Sequence, residues 1–159
     1  PDIIMAGGFM SETQIFKTIA LSNFGEGPLV KGVLMARSPL TAVMKSSYFV
    51  ELAQTGKLPK SFAESYGNVP DLFFVAAPEL KSEYGGDFKD IPWEAVGLYS
   101  YLQERVKVGL MQLMAGARKW RLDLLDRKDL MALTERAAKV TGIPLAEEAE
   151  NDAVERILD

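Results

Sequence analysis

Ile3-Ile4-Met5-Ala6-Gly7-Gly8 decides how the rest of the chain is read. Four apolar residues without polar alternation, closed by two glycines, describe a strand covered on both faces, the pattern of a parallel sheet. Beyond the glycines, Ser11 with Gln14 three places on fits a capping box, and Ile15, Phe16, Ile19 and Ala20 recur at helical spacing up to about Leu21. Asn23, Gly25, Gly27 and Pro28 break the helix, and Leu29 to Ala36 is a second apolar, strand-like run. A strand, one crossover helix and a second strand make a βαβ unit. After Arg37, Ser38 can cap a second helix with Pro39 at its first position, and Leu40, Val43, Met44, Tyr48 and Leu52 continue the apolar face.

From Thr55 to Pro92 the glycines and prolines (Gly56, Pro59, Gly67, Pro70, Pro78, Gly85, Gly86) interrupt any period, so the expectation is an irregular connection with a short strand or helix at Leu72 to Ala77. Glu94 to Ala117 is the clearest helix, with Ala95, Tyr99, Leu102, Val106, Leu110 and Leu113 on its expected buried side. Another helix is expected from Asp126, carrying Leu130, Leu133, Ala137 and Val140 and ending at Thr141-Gly142 before Pro144. Ala146 to Leu158 reads as an acidic amphipathic helix with Ala149, Ala153 and Ile157 on one stripe. The chain thus divides into two strand-helix units (1–54), an irregular connection (55–92) and a helical tail (93–159).

The 159 residues carry a formal net charge of -4, with neither cysteine nor histidine. That excludes disulfides, thiolate metal centres, a cysteine nucleophile and Ser-His-Asp chemistry, leaving backbone groups, carboxylates, Lys, Arg or a bound cofactor. The acidic balance favours neither nucleic acid nor anionic lipid, and no apolar run reaches the roughly 18 to 20 residues of a membrane span. The expected location is the cytoplasm. The start at Pro1-Asp2, immediately before a strand and without an initiator Met, reads as that of a truncated or processed chain.

Two parallel strands alone leave edges unpaired and apolar faces uncovered, so either further strands are expected upstream, which the abrupt start at Pro1 favours, or the long helices of this chain and a partner chain cover the sheet. If the strands close a barrel, their C-terminal ends face the ligand, and the loops after the last two strands are where such barrels hold phosphate. Gly7-Gly8 and Ala36-Arg37 stand at those ends: glycines admit an anion to the backbone, the following helix offers free N–H groups, and Arg37 supplies a bidentate charge. Read without that frame, Gly7-Gly8 is a plain turn and Arg37 a surface ion-pairing residue.

The runs Ile4-Met5-Ala6-Gly7-Gly8-Phe9, Lys17-Thr18-Ile19-Ala20-Leu21 and Val33-Leu34-Met35-Ala36-Arg37 resemble the last two strand-helix units of the FMN-binding glutamate synthase family. The runs Gly109 to Trp120, Asp126 to Leu130 and Leu133-Thr134 resemble that family's helical tail. The resemblance implies the C-terminal βαβα portion of a (β/α)8 TIM-type barrel followed by a mainly helical tail. It implies an FMN-dependent oxidoreductase of glutamate biosynthesis acting on CH–NH2 donors, with Gly7, Gly8, Ala36 and Arg37 at the flavin phosphate; Ala36 stands where glycine is commoner. The amidotransferase portion, the earlier strands carrying most flavin and 2-oxoglutarate contacts, and the iron–sulfur cysteines are absent from this stretch. The chain by itself is therefore expected to be inactive, its partner being the remainder of the barrel. Two other readings stand beside this one: a helical assembly module forming a homo-oligomer, and a barrel remnant that binds another phosphorylated ligand.

Trp93 and Trp120 flank the long helix and read as packing residues in preference to a flavin-stacking pair. Arg118, Lys119, Arg121, Arg127 and Lys128, interleaved with Asp123, Asp126 and Asp129, read as a solvated surface. Glu147, Glu148 and Glu150 read as dipole-complementing residues of a helix start, without a metal.

Overall fold

The unbroken apolar run at the N-terminus forms strand β1 (Ile3–Ala6), and the second run forms β2 (Val30–Leu34), joined by helix α1 (Glu12–Leu21). These belong to a computed structural model that describes residues 1–148 and is mixed α/β, mostly helical, with β1 and β2 paired in one small parallel sheet. Helix α2 (Arg37–Gln54) follows β2. The chain divides into two units: one comprises Pro1–Met5, Thr13–Val33 and the described part of Met111–Asp159, the other Ala6–Glu12 and Leu34–Leu110.

In the first unit, α1 buries Ile15, Phe16, Ile19 and Ala20, the stripe its spacing predicts, and Leu125 is its largest fully buried residue. Burial of one such leucine stabilises by roughly 1.5–3 kcal/mol. The sheet is less covered than its sequence predicts, since Ile4 is 64% exposed and Ile3, Met5 and Leu34 also face solvent. Val30 of β2 is buried, but with one neighbouring strand per strand among the described residues much of the apolar surface of β1 is left to solvent.

The helix expected from Asp126 begins later. Asp126 caps only a 3-10 turn (Arg127–Asp129), and after an extended Leu130 the bridge between Ala132 and Leu145 intervenes. Helix α7 (Glu135–Thr141) starts from Thr134, whose hydroxyl accepts from Ala137 N–H, and ends at Gly142 in the left-handed region. Leu133 and Val140 are largely exposed. The expected stripe of Ala149, Ala153 and Ile157 lies outside the described residues.

In the second unit the connection is ordered where irregularity was expected. It contains α3 (Lys60–Tyr66), a 3-10 turn (Pro70–Leu72), α4 (Ala77–Tyr84) and a second 3-10 segment (Gly85–Asp90). The glycines and prolines stand at helix ends, such as Pro59 before α3 and Gly67 after it. Between them run stacked rings, Phe49 on Phe62 (4.4 Å between centroids) and Phe74 on Trp93 (5.6 Å). Ala76, Ala77, Leu80, Phe88 and Val96 form the core, with Trp93 packed against it. Trp93 is thus a packing residue, whereas Trp120 is 78% exposed.

The long helix is present but not uniform: α5 (Trp93–Tyr99), a π-helical segment (Ser100–Lys107) and α6 (Val108–Gly116) follow without interruption. The π turn bonds to the fifth residue instead of the fourth, which shifts the helical phase. Of the expected stripe, Val106 is buried and Tyr99, Leu110 and Leu113 are half-buried, whereas Ala95 and Leu102 face solvent and Val96, Gly97 and Met114 are buried in addition.

Candidate anion-binding turns

Adjacent parallel strands deliver their C-terminal ends to the same side, and Gly7-Gly8 and Ala36-Arg37 follow those two ends. The Ser38 hydroxyl donates to the Phe9 carbonyl at 3.0 Å, tying the turn after β1 to the first turn of α2. Gly7 and Gly8 adopt φ of 106° and 73°, in the region that favours glycine, and a Cβ at either position would meet nothing within 4 Å. Their identity is required by the backbone conformation and not by crowding.

Ser38 does not cap α2. Ala36 stands at the N-cap with φ −114° and ψ −62°, without a side-chain hydrogen bond, and Ser38 is drawn instead to Phe9. The first turn of α2 carries no acidic residue, and Pro39 has no N–H to satisfy. The N–H groups of this helix start therefore keep their affinity for an anion. The Arg37 guanidinium is exposed and has no ion-pair partner among the described residues. Gly7, Gly8, Ala36 and Arg37 all lie at the surface, and two concavities of about 300 and 350 Å³ lie elsewhere, one lined by Arg127, Leu130 and Pro144 among others and one by Ala95, Tyr99 and Gln103 among others. The four residues form an open pair of turns.

Sequence reasoning missed two features beside them. The Tyr101 hydroxyl, from the π-helical segment, donates to the Met10 carbonyl at 2.8 Å. Glu12, in the first turn of α1, packs against Gly109, where an added Cβ would come within 2.8 Å of Glu12 Cγ, and Glu12 Oε2 is buried without a hydrogen-bond partner. No sequence signal marks Tyr101, because its direction depends on the π turn. α1 thus begins on a carboxylate, whereas α2 begins on an arginine.

The basic cluster resolves into separate structural roles. Lys119 pairs with Asp126 (3.3 Å) and Asp129 (3.8 Å), and Arg121 Nε donates to Asp123 at 3.0 Å. Burial pushes the Asp126 carboxyl up, yet the Lys128 N–H and the Lys119 ammonium together hold it below the usual carboxylate range. Arg127 is not simply a solvated surface residue. Its guanidinium donates to Leu21 O (3.2 Å) and to Thr141 O and lies over the Phe24 ring, so it serves the orphan carbonyls ending α1 and α7. Glu148 accepts from Leu145 N–H, and Glu150 lies outside the described residues. No family model, curated protein or solved structure matches the chain.

Proposed function

We propose that the chain is the C-terminal βαβα portion of a (β/α)8 barrel of the FMN-binding glutamate synthase type, with a helical tail. Its two turns receive the flavin phosphate: Gly7 and Gly8 through the backbone, Ala36 and Arg37 through the start of α2 and the guanidinium. The observation that carries the reading is the 3.0 Å bond from Ser38 to the Phe9 carbonyl, which sets a glycine turn and an uncapped, arginine-bearing helix start side by side. When bound, FMN would supply hydride or electron transfer, and these residues would anchor it. The exposed apolar strand β1 supports a partner that completes the sheet, either an upstream segment or a separate subunit.

The test is a titration of the chain with FMN and with inorganic phosphate, followed by amide NMR. Shifts confined to Gly7, Gly8, Ala36 and Arg37, weakened by about 1.5–3 kcal/mol in Arg37→Ala, are expected. A chain whose turns do not respond to either ligand refutes the reading. Pyridoxal phosphate and sugar phosphates in the same titration test the broader alternative of another phosphorylated ligand.

A second reading has its own support. Leu40, Met44 and Tyr48, spaced by four along α2, are all more than half exposed and form an apolar stripe without a cover among the described residues. A homo-oligomer would bury it, and light scattering that gives a dimer mass, lost in Met44→Glu, would favour assembly.

A further inference from the structure

We infer that Ser38 and Tyr101 are positioning residues for the Gly7-Gly8 turn, holding the consecutive carbonyls of Phe9 and Met10 so that the glycine N–H groups converge on one anion. The inference rests on the phosphate reading of that turn and adds to it the residues that preorganise the turn.

Peptide units are planar, so a chain segment is set by its φ and ψ angles alone. Between the end of β1 at Ala6 and the first held carbonyl, at Phe9, stand two glycines. Glycine samples both signs of φ with little preference, so an untethered Gly7-Gly8 pair would spread its N–H groups over many directions. Ordering them on binding would then reduce affinity. Two hydroxyls from two different elements remove that freedom: Ser38 in the first turn of α2 bonds Phe9 O at 3.0 Å, and Tyr101 bonds Met10 O at 2.8 Å. Ser38 is next in sequence to Arg37, so the same helix start that offers the guanidinium also fixes the opposing turn.

Tyr101 owes its direction to the second position of the π-helical segment (Ser100–Lys107). A preceding bond steadies that segment, since Ser100 Oγ donates to Val96 O (2.8 Å) and accepts from Ala76 N–H (3.3 Å). π turns are frequent at functional sites, and here the Tyr101 hydroxyl carried by one ends on the loop beside the glycines.

The experiment compares the wild-type chain with Tyr101→Phe, Ser38→Ala and Ser38→Thr, titrated with inorganic phosphate and with FMN, with riboflavin as the control that lacks the phosphate. Tyr101→Phe and Ser38→Ala are expected to lose roughly three- to ten-fold in affinity for the phosphate-bearing ligands, with the melting temperature and any riboflavin response unchanged, while Ser38→Thr retains wild-type affinity. In the ligand-free Tyr101→Phe chain, amide exchange across Gly7 to Met10 is expected to quicken. Wild-type affinity in Tyr101→Phe, or unchanged exchange at those amides, overturns the inference and leaves the phosphate reading standing. Equal weakening of FMN and riboflavin overturns it as well, by showing a general loss of fold. A wild-type chain without phosphate-dependent binding overturns both.

Discussion

Asn23 reaches across 102 positions of sequence to donate its Nδ2 hydrogen to the Leu125 carbonyl at 2.8 Å, and both residues are buried. Its Oδ1 accepts from Gly25 N–H (2.9 Å) and Gly27 N–H (3.1 Å), so one amide shapes the turn before β2 and fastens it to the tail segment of its own unit. Asn23→Ala removes three hydrogen bonds and leaves a buried carbonyl unmet, a loss of about 2–4 kcal/mol. Urea denaturation followed by circular dichroism measures it, and a change below about 0.5 kcal/mol would contradict the role.

Arg127 joins the ends of two helices through separate nitrogens, a geometry that an ammonium cannot copy. Arg127→Lys is expected to destabilise by about 1–3 kcal/mol despite keeping the charge. Added salt should leave most of that difference intact, since it comes from hydrogen bonds to carbonyls and not from a surface ion pair.

Gly97 lets α5 approach α2 closely, because a Cβ there would overlap Ser46 Oγ and come to 2.6 Å of Ser46 Cβ and 3.1 Å of the Phe74 ring. Gly97→Ala is expected to cost about 1–3 kcal/mol through overpacking, although alanine is the better helix former. Ser46→Gly in the same chain should return part of the loss, and a double-variant cycle with no coupling would locate the strain elsewhere.

The Glu94 carboxyl is held below the ordinary glutamate range chiefly by a hydrogen bond from the Ser47 side chain, with its own backbone N–H assisting and burial opposing. The folded chain therefore binds this proton less tightly than the unfolded chain. Its contribution is complete above the unfolded carboxyl range and disappears as pH falls through the lower folded value. Ser47→Ala should be less stable than the wild type at neutral pH, with the gap closing below about pH 4. A gap that stays constant down to strong acid would rule out this origin.

The parts of the fold readable from residues alone are those set by local pattern. Ile3 to Ala6 and Ile15 to Ala20 declare a strand and a buried helix face through spacing, and the structure has both. Gly142 likewise ends its helix in the conformation that glycine favours. What could not be read depends on tertiary partners. The connection holding α3 and α4 gains its order from rings that are distant in sequence, Phe49 against Phe62 and Phe74 against Trp93. Leu102 faces solvent from within a π-helical segment, which leaves no mark on a period of 3.6. Of the candidate site, the glycine turn and Arg37 were visible from composition and position. The tether from Ser38 was not, since a serine before Pro39 looks like a cap that accepts from backbone N–H groups, whereas its hydroxyl donates to the Phe9 carbonyl.

The open β1 strand bears on how the chain fares inside a cell. Bare aliphatic side chains beside a strand edge left unpaired among the described residues are what chaperones retain, proteases clear and other copies aggregate with. If a partner completes the sheet as proposed, chain made in excess of it would be removed by quality control, and the abundance of the two would rise and fall together.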